Sequence, residues 1–343
     1  MLATALVLVH TAAALPGSLS KMPDHMTLHA PFTPFKYDAQ RSLNATTEGI
    51  EALARQAASF GVNTVWVPGG LGQFETLTVA ERKHLLELWA PAAKKYNIYV
   101  IAHVGTNSIG EAKELAAHAA SLDGVDAIAS VPPFYEHTTD VDAIVDFLAP
   151  IAAAAPTLPF FYYHIPAMTL ANIKIAELFA AANATDAKTG GARLPTLGGV
   201  KYVSPDLHDW FEIVNKWNAT KALLFAPEPK LAAFSLGTGR GVVLAEDFYA
   251  PTYLRMRLKY YTKGQEAASA EQAWKYSADS IISSHGGSAK RALYRSFPLT
   301  KGAIDLGPPR LPAQPFDESQ YDSMIKGLQA VGFYNQMKPP STR

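Results

Sequence analysis

Apolar positions along this chain fall into short runs separated by longer stretches with helical spacing. The runs are rich in β-branched and aromatic residues: TLHAPF 27–32, NTVWVP 63–68, IYVIAHV 98–104, DAIASV 126–131, PFFYYHI 159–165, LGGVKYV 197–203, KALLFA 221–226 and GVVLA 241–245. Most show no alternation of apolar and polar positions, as expected of parallel strands buried on both faces. Between them, TTEGIEALARQAASFG 46–61, TVAERKHLLELWAPAAKKY 78–96, SIGEAKELAAHAASL 108–122 and DVDAIVDFLAPIAAAA 140–155 carry Ala and Leu at i, i+3 and i+4. That spacing gives each helix one apolar stripe. Thr46 and Thr47 stand before Glu48, and Thr78 precedes Glu81 at capping-box spacing.

Strand–helix units repeating between residues 27 and 250 predict a (β/α)8 barrel. A doubly wound open sheet is the alternative. It would want a Gly-rich turn after the first strand, where this chain has APFTPF. Helical patterns at 247–263, 267–284 and 318–331 predict a C-terminal helical extension over 251–343, with GPPRLPAQP 307–315 as a Pro-rich connector.

Residues 1–26 read as a leader and N-terminal extension. The apolar Leu6–Val9 core and Ala12, Ala13 and Ala14 match a signal peptide cleaved after about Ala14, which places the chain in the secretory pathway. A basic n-region is missing, so a cytoplasmic chain starting at Met22 or Met26 stays open. Asn44, Asn183 and Asn218 each begin an Asn-Ala-Thr sequon usable in a secreted protein.

Composition narrows the partners. The formal net charge is zero and the pI about 7.2, so no field draws the chain to nucleic acid or an anionic membrane. No apolar run reaches the roughly 20 residues of a membrane span. The chain has no cysteine, which excludes thiolate metal sites and cysteine nucleophiles. Its histidines show no HExxH spacing, so no catalytic metal and no cofactor are expected. A small-molecule partner remains. GTGRG 237–241 leads into a strand and reads as a turn rather than a phosphate loop. Ser284 and His285 in ISSHGG read as a helix end stopped by Gly286.

In a barrel the active site lies at the C-terminal ends of the strands. That rule selects Tyr163 and His164 on the fifth strand and Lys201 on the sixth. A lysine buried in a barrel loses its proton readily, and the neutral amine attacks carbonyls to form a Schiff base. The protonated imine is an electron sink, and a phenol such as Tyr163 can shuttle the proton. Each residue also has an ordinary reading: a strand-end lysine reaching solvent, and a core tyrosine bonded to backbone. His103 and His164 read as packing and supporting groups.

LPFFYYHIPAMT and LGGVKYVSPDLHDW resemble the tyrosine and lysine motifs of the N-acetylneuraminate lyase and dihydrodipicolinate synthase-like family. HAPFTPF 29–35, LTVAERKHLLELW 77–89, HVGTNS 103–108, AAAAPTLPF 152–160 and GPPRLP 307–312 extend the resemblance over roughly 27–335. It implies a (β/α)8 barrel with C-terminal helices, a homotetramer, and a class I mechanism on a carbonyl substrate such as pyruvate. By motif, Lys201 would be the imine nucleophile and Tyr163 the acid/base.

The departures concern recognition. The family's Gly-Thr-Thr-Gly-Glu or Gly-Ser-Thr-Gly-Glu after strand two holds the pyruvate carboxylate. Here PGGLGQFETLT puts Gly70 and Leu71 in place of the hydroxyls and Gln73 in place of the acid, leaving backbone N–H groups to bind an anion. The family's Gly-x-Asp-Glu after strand seven is APEPK here, which keeps Glu228 but has Pro229 for the second acid. VLAEDF 243–248 replaces a Gly-Ser-Thr, and Val203 stands where a hydroxyl residue is common. Glu246, Asp247, Tyr135 and Glu136 are further candidates for the rewritten shell. The segment ATDAKTGGARLP 184–195 lengthens the tyrosine-to-lysine interval and reads as a surface loop. Three readings follow: a Schiff-base lyase or aldolase with a changed substrate, a true N-acetylneuraminate lyase, or a non-catalytic barrel.

Overall fold

The computed structural model describes residues 17–38, 43–45, 47–237, 239–297 and 304–338. The leader expectation for residues 1–16 lies outside them. Eight parallel strands close into a barrel: β1 Met26–His29, β2 Thr64–Val67, β3 Tyr99–His103, β4 Ala127–Ser130, β5 Phe160–His164, β6 Leu197–Tyr202, β7 Ala222–Phe225 and β8 Gly241–Leu244. Seven of the predicted apolar runs contain their strands, and β1 begins one residue before its run, at Met26. A short hairpin, Phe35–Tyr37 with Leu43–Ala45, follows β1. The open-sheet alternative is excluded by the pairing of β1 with both β2 and β8.

The barrel strands are buried along their whole length because they face two cores. Trp66, Ile101, Ala129, Phe161, Tyr163 and Leu224 point into the barrel. Their neighbours Val65, Val100, Ile128, Tyr162, Tyr202 and Phe225 pack outward against the helices. The two-residue period of a strand therefore puts Tyr163 inside and His164 outside. Leu19 and Met22, from the turn Gly17–Lys21 and the residue after it, join the inner core. Leu19 lies against Gly198.

Several of the helices begin where the sequence supplies a cap. Thr78 accepts from the Glu81 N–H while the Glu81 carboxylate accepts from the Thr78 N–H, the predicted capping box of helix Val79–Lys95. Asp140 and Asp206 cap helices Val141–Ala153 and Leu207–Trp217. The C-terminal extension contributes Ala250–Lys263, Gln265–Ser283 and Tyr321–Ala330. Segment 184–195 is a largely exposed loop closed by a bridge between Thr185 and Ala192. Among the described residues, no helix is long and apolar enough to cross a membrane.

Candidate active site

Tyr163 and Lys201 are direct partners in the parallel register of β5 and β6, and both side chains point inward. Gly199, two positions before Lys201 on the same face, makes room for this. A Cβ there would sit 2.0 Å from the Ala222 carbonyl oxygen and 2.8 Å from the Phe161 ring. The Lys201 Nζ lies 4.1 Å from the centre of the Tyr163 ring and 4.7 Å from that of Trp66.

Lys201 is only 3% exposed, yet among the described residues it has neither a carboxylate partner nor a hydrogen bond. The other buried lysines are tied. Lys221 donates to the Leu197 carbonyl, Lys230 to the carbonyls of Ala226 and Pro227, and Lys275 pairs with Asp279 at 2.5 Å. Burial, helped by the Lys230 charge, lowers the Lys201 pKa from 10.5 to about 7. A large share of the amine is then neutral at physiological pH, the state that attacks carbonyls. The Tyr163 phenol is pushed upward by burial and by Glu75, so it stays protonated and is equipped to donate.

Both groups open into a cavity of about 720 Å³ at the C-terminal mouth of the barrel. Near the pair its wall is largely apolar, with Ala30, Val131, Phe134, Ile165, Val203 and Val243. Gly70 and Leu71 also line it. Among the described residues their backbone N–H groups donate to no protein acceptor, so they remain available to an anion.

The far wall is ionic. Glu228 lies 3.3 Å from both Lys230 and Lys275, and Lys290 lies 2.7 Å from Glu246. Burial opposes the Glu228 charge, but the two lysines outweigh it and hold the carboxyl below its usual range. Glu246 is raised by burial against the pull of Lys290. Tyr249 donates to Asp279 at 2.7 Å and lines the same wall.

Several sequence-selected residues stand elsewhere. Gln73 does not line the cavity. Its Nε2 donates to the Arg310 carbonyl at 2.8 Å and its Oε1 accepts from the Arg310 N–H at 2.9 Å, which docks the Pro-rich connector. Tyr135 is 86% exposed and points to solvent, while its neighbour Phe134 lines the cavity. Glu136 is exposed as well. Asp247 is fully buried behind the barrel, held by Tyr294 at 2.8 Å and Gln56 at 3.2 Å. His164 packs outward between Tyr162 and Tyr202 rather than beneath Tyr163. The His103 ring sits among Trp66, Phe74 and Tyr163, and burial keeps its pKa well below the usual value.

Glu75, Lys230, Lys275, Asp279 and Lys290 line the cavity and were missed. Glu75 lay within reach of the strand-end rule, since it follows β2 closely. Lys275 and Asp279 stand one turn apart on a C-terminal helix, and nothing in their spacing announces that this face closes the barrel mouth.

Comparison with known proteins agrees with this geometry. Residues 25–330 match the model of the dihydrodipicolinate synthetase family. The chain is 30% identical to human N-acetylneuraminate lyase over 310 residues, covering 89% of this chain and 91% of the relative. It is 30% identical to the mouse enzyme of the same name over 291 residues, covering 83% and 85%. Among solved structures, N-acetylneuraminate lyase (sialic acid aldolase) from Aliivibrio salmonicida superposes with a TM-score of 0.77 at 27% identity, over 89% of this chain and 96% of that one. Dihydrodipicolinate synthase from Cyanidioschyzon merolae, solved with lysine bound, gives 0.72 at 26%, over 90% and 98%.

Proposed function

This chain belongs to the dihydrodipicolinate synthetase family, and from that premise we propose that Lys201 is the residue that forms its imine and Tyr163 the phenol that serves it. The protein is a carbon–carbon lyase of the class I, Schiff-base type. The observation that carries the assignment is Lys201 itself, a buried lysine on a strand end, with no counter-ion among the described residues, against a tyrosine in the same cavity. Its substrate is a 2-oxo acid or the aldol adduct of one. The neutral amine condenses with the carbonyl and water leaves. The C3–C4 bond then breaks into the electron sink as the C4 hydroxyl gives up its proton, giving an enamine and an aldehyde. In the reverse, bond-forming direction Tyr163 donates that proton to the aldehyde oxygen as it gains charge.

Recognition differs from the family pattern. Backbone N–H groups of Gly70 and Leu71 take the carboxylate, and the far ionic wall reads the rest of the substrate. A second reading, cleavage of N-acetylneuraminate to pyruvate and N-acetylmannosamine, draws support from the names of the relatives. Incubation with N-acetylneuraminate, followed by NMR for pyruvate, separates the two. Pyruvate released at enzyme-like rates, and lost in Lys201→Ala, establishes the second. Silence there with turnover of another 2-oxo acid adduct establishes the changed substrate.

We also propose a homo-oligomer, a tetramer by family resemblance. Met168 and Phe211, 73% and 50% exposed on elements after β5 and β6, supply apolar surface for an interface. Light scattering of the purified chain tests it, and a monomeric mass would remove it. Entry into the secretory pathway is proposed from the leader. Asn44 and Asn183 are exposed, as glycosylation requires. Loss of mass on glycosidase treatment tests that.

A further inference from the structure

Four carboxylates line the cavity: Glu75, Glu228, Glu246 and Asp279. Three are neutralised in place by Lys230, Lys275 and Lys290. Among the described residues Glu75 alone of the four has no ion pair and no hydrogen bond from another residue to its carboxylate. It is open to the water of the cavity, and it acts electrostatically on Tyr163. Burial raises its carboxyl from the ordinary range, opposed by its own backbone N–H and by the Arg82 charge.

The turn that carries Glu75 is clamped. Phe74 packs edge-on against His103 at 4.5 Å and Phe134 at 6.2 Å. On the other side, Gln73 exchanges two hydrogen bonds with the Arg310 backbone. The Arg310 guanidinium also reaches the Thr76 carbonyl at 3.0 Å and pairs with Glu81.

We propose that Glu75 is a further catalytic residue, the base that takes a proton from the carbon next to the Lys201 imine and returns it from the acid form. The proposal rests on the Schiff-base reading above. The C3–H bond of the imine breaks and its electron pair forms the C2=C3 bond. The C=N pair moves onto nitrogen, and the proton passes to the Glu75 carboxylate. Protonated imine and carboxylate thus become neutral enamine and carboxylic acid, with no further reactant. Tyr163 is poorly suited to this step because its phenol is held protonated; a free carboxylate in the same cavity is the group that can accept.

The test uses pyruvate as the probe and two readouts on the full-length chain. Borohydride trapping reports the imine. Loss of the pyruvate methyl signal in D2O, followed by proton NMR, reports removal of the C3 proton without any aldehyde partner. Glu75→Gln should trap pyruvate as the wild type does but exchange its methyl protons ~100-fold more slowly, a typical worth for a positioned base. The rise of exchange with pH that reflects ionisation of this carboxyl should vanish in Glu75→Gln and return in part with Glu75→Asp. Exchange within threefold of wild type in Glu75→Gln, or an unchanged pH profile, overturns the proposal. If wild type traps no pyruvate, the Schiff-base reading on that substrate fails first, and the role of Glu75 falls with it.

Discussion

Replacing Lys201 by methionine should stabilise the protein while abolishing its chemistry. The amine is desolvated with no carboxylate partner among the described residues, and burial, with the Lys230 charge, lowers its pKa from 10.5 to about 7. Each pKa unit is worth about 1.4 kcal/mol, so the protonated form costs at most about 5 kcal/mol relative to the unfolded chain. The faces of Tyr163 and Trp66, 4.1 and 4.7 Å away, favour the ammonium. They return ~1–2 kcal/mol, leaving a penalty of ~3 kcal/mol. Between pH 7 and 10.5 the unfolded chain binds a proton here that the folded chain does not, so stability rises with pH across that window. Below pH 7 both states are protonated and the full penalty stands. Methionine keeps much of the volume and removes the charge. In thermal unfolding, Lys201→Met should melt ~5 °C above wild type at pH 6, using about 2 °C per kcal/mol for a chain of this size. The advantage should shrink as pH rises to 10. A variant less stable than wild type, or an advantage independent of pH, would refute the claim that this lysine is buried without compensation.

Other outcomes follow from the same geometry. Gly70→Ser has open space around its added Cβ and restores a hydroxyl to the anion turn. It should tighten pyruvate by about tenfold, worth ~1.5 kcal/mol, read from the concentration dependence of borohydride inactivation. Gly199→Ala would put a Cβ 2.0 Å from the Ala222 carbonyl, so it should cost soluble protein at 37 °C where Gly70→Ala does not, measured by expression and melting. Burial, opposed by hydrogen bonds from Tyr294 and Gln56, raises Asp247 from 3.8 to about 7. Between those values the folded state holds a proton that the unfolded chain has lost, so wild-type stability should fall as pH rises through the window. Asp247→Asn should flatten that part of the curve in urea titrations at pH 4, 5.5 and 7.

The barrel was legible because its signal is repeated and local. Each strand is an apolar run between helical stripes, and Thr78 with Glu81 announces a helix start in four residues of sequence. Lys201 and Tyr163 were legible for a related reason. A charged residue inside an apolar run stands out, and the strand-end rule says where such residues matter. Of the recognition wall, Glu228 and Glu246 were legible as acids after the last two strands, and the rest was not. Glu75, Lys275 and Lys290 come from a turn and from the C-terminal extension, and only long-range packing brings them to one cavity. Gln73 misled for the same reason, since its partner Arg310 lies in a connector far along the chain. Tyr135 and Phe134 are adjacent in sequence, and loop geometry alone decides which faces the cavity.

The central claim is that Lys201 forms an imine with its substrate. Mass spectrometry after borohydride treatment with pyruvate, beside a Lys201→Ala control, tests it most directly. The account requires a pyruvyl adduct on the peptide containing Lys201 and none in the control. A folded wild-type protein that gains no mass with pyruvate, or with any other carbonyl compound offered, would contradict it.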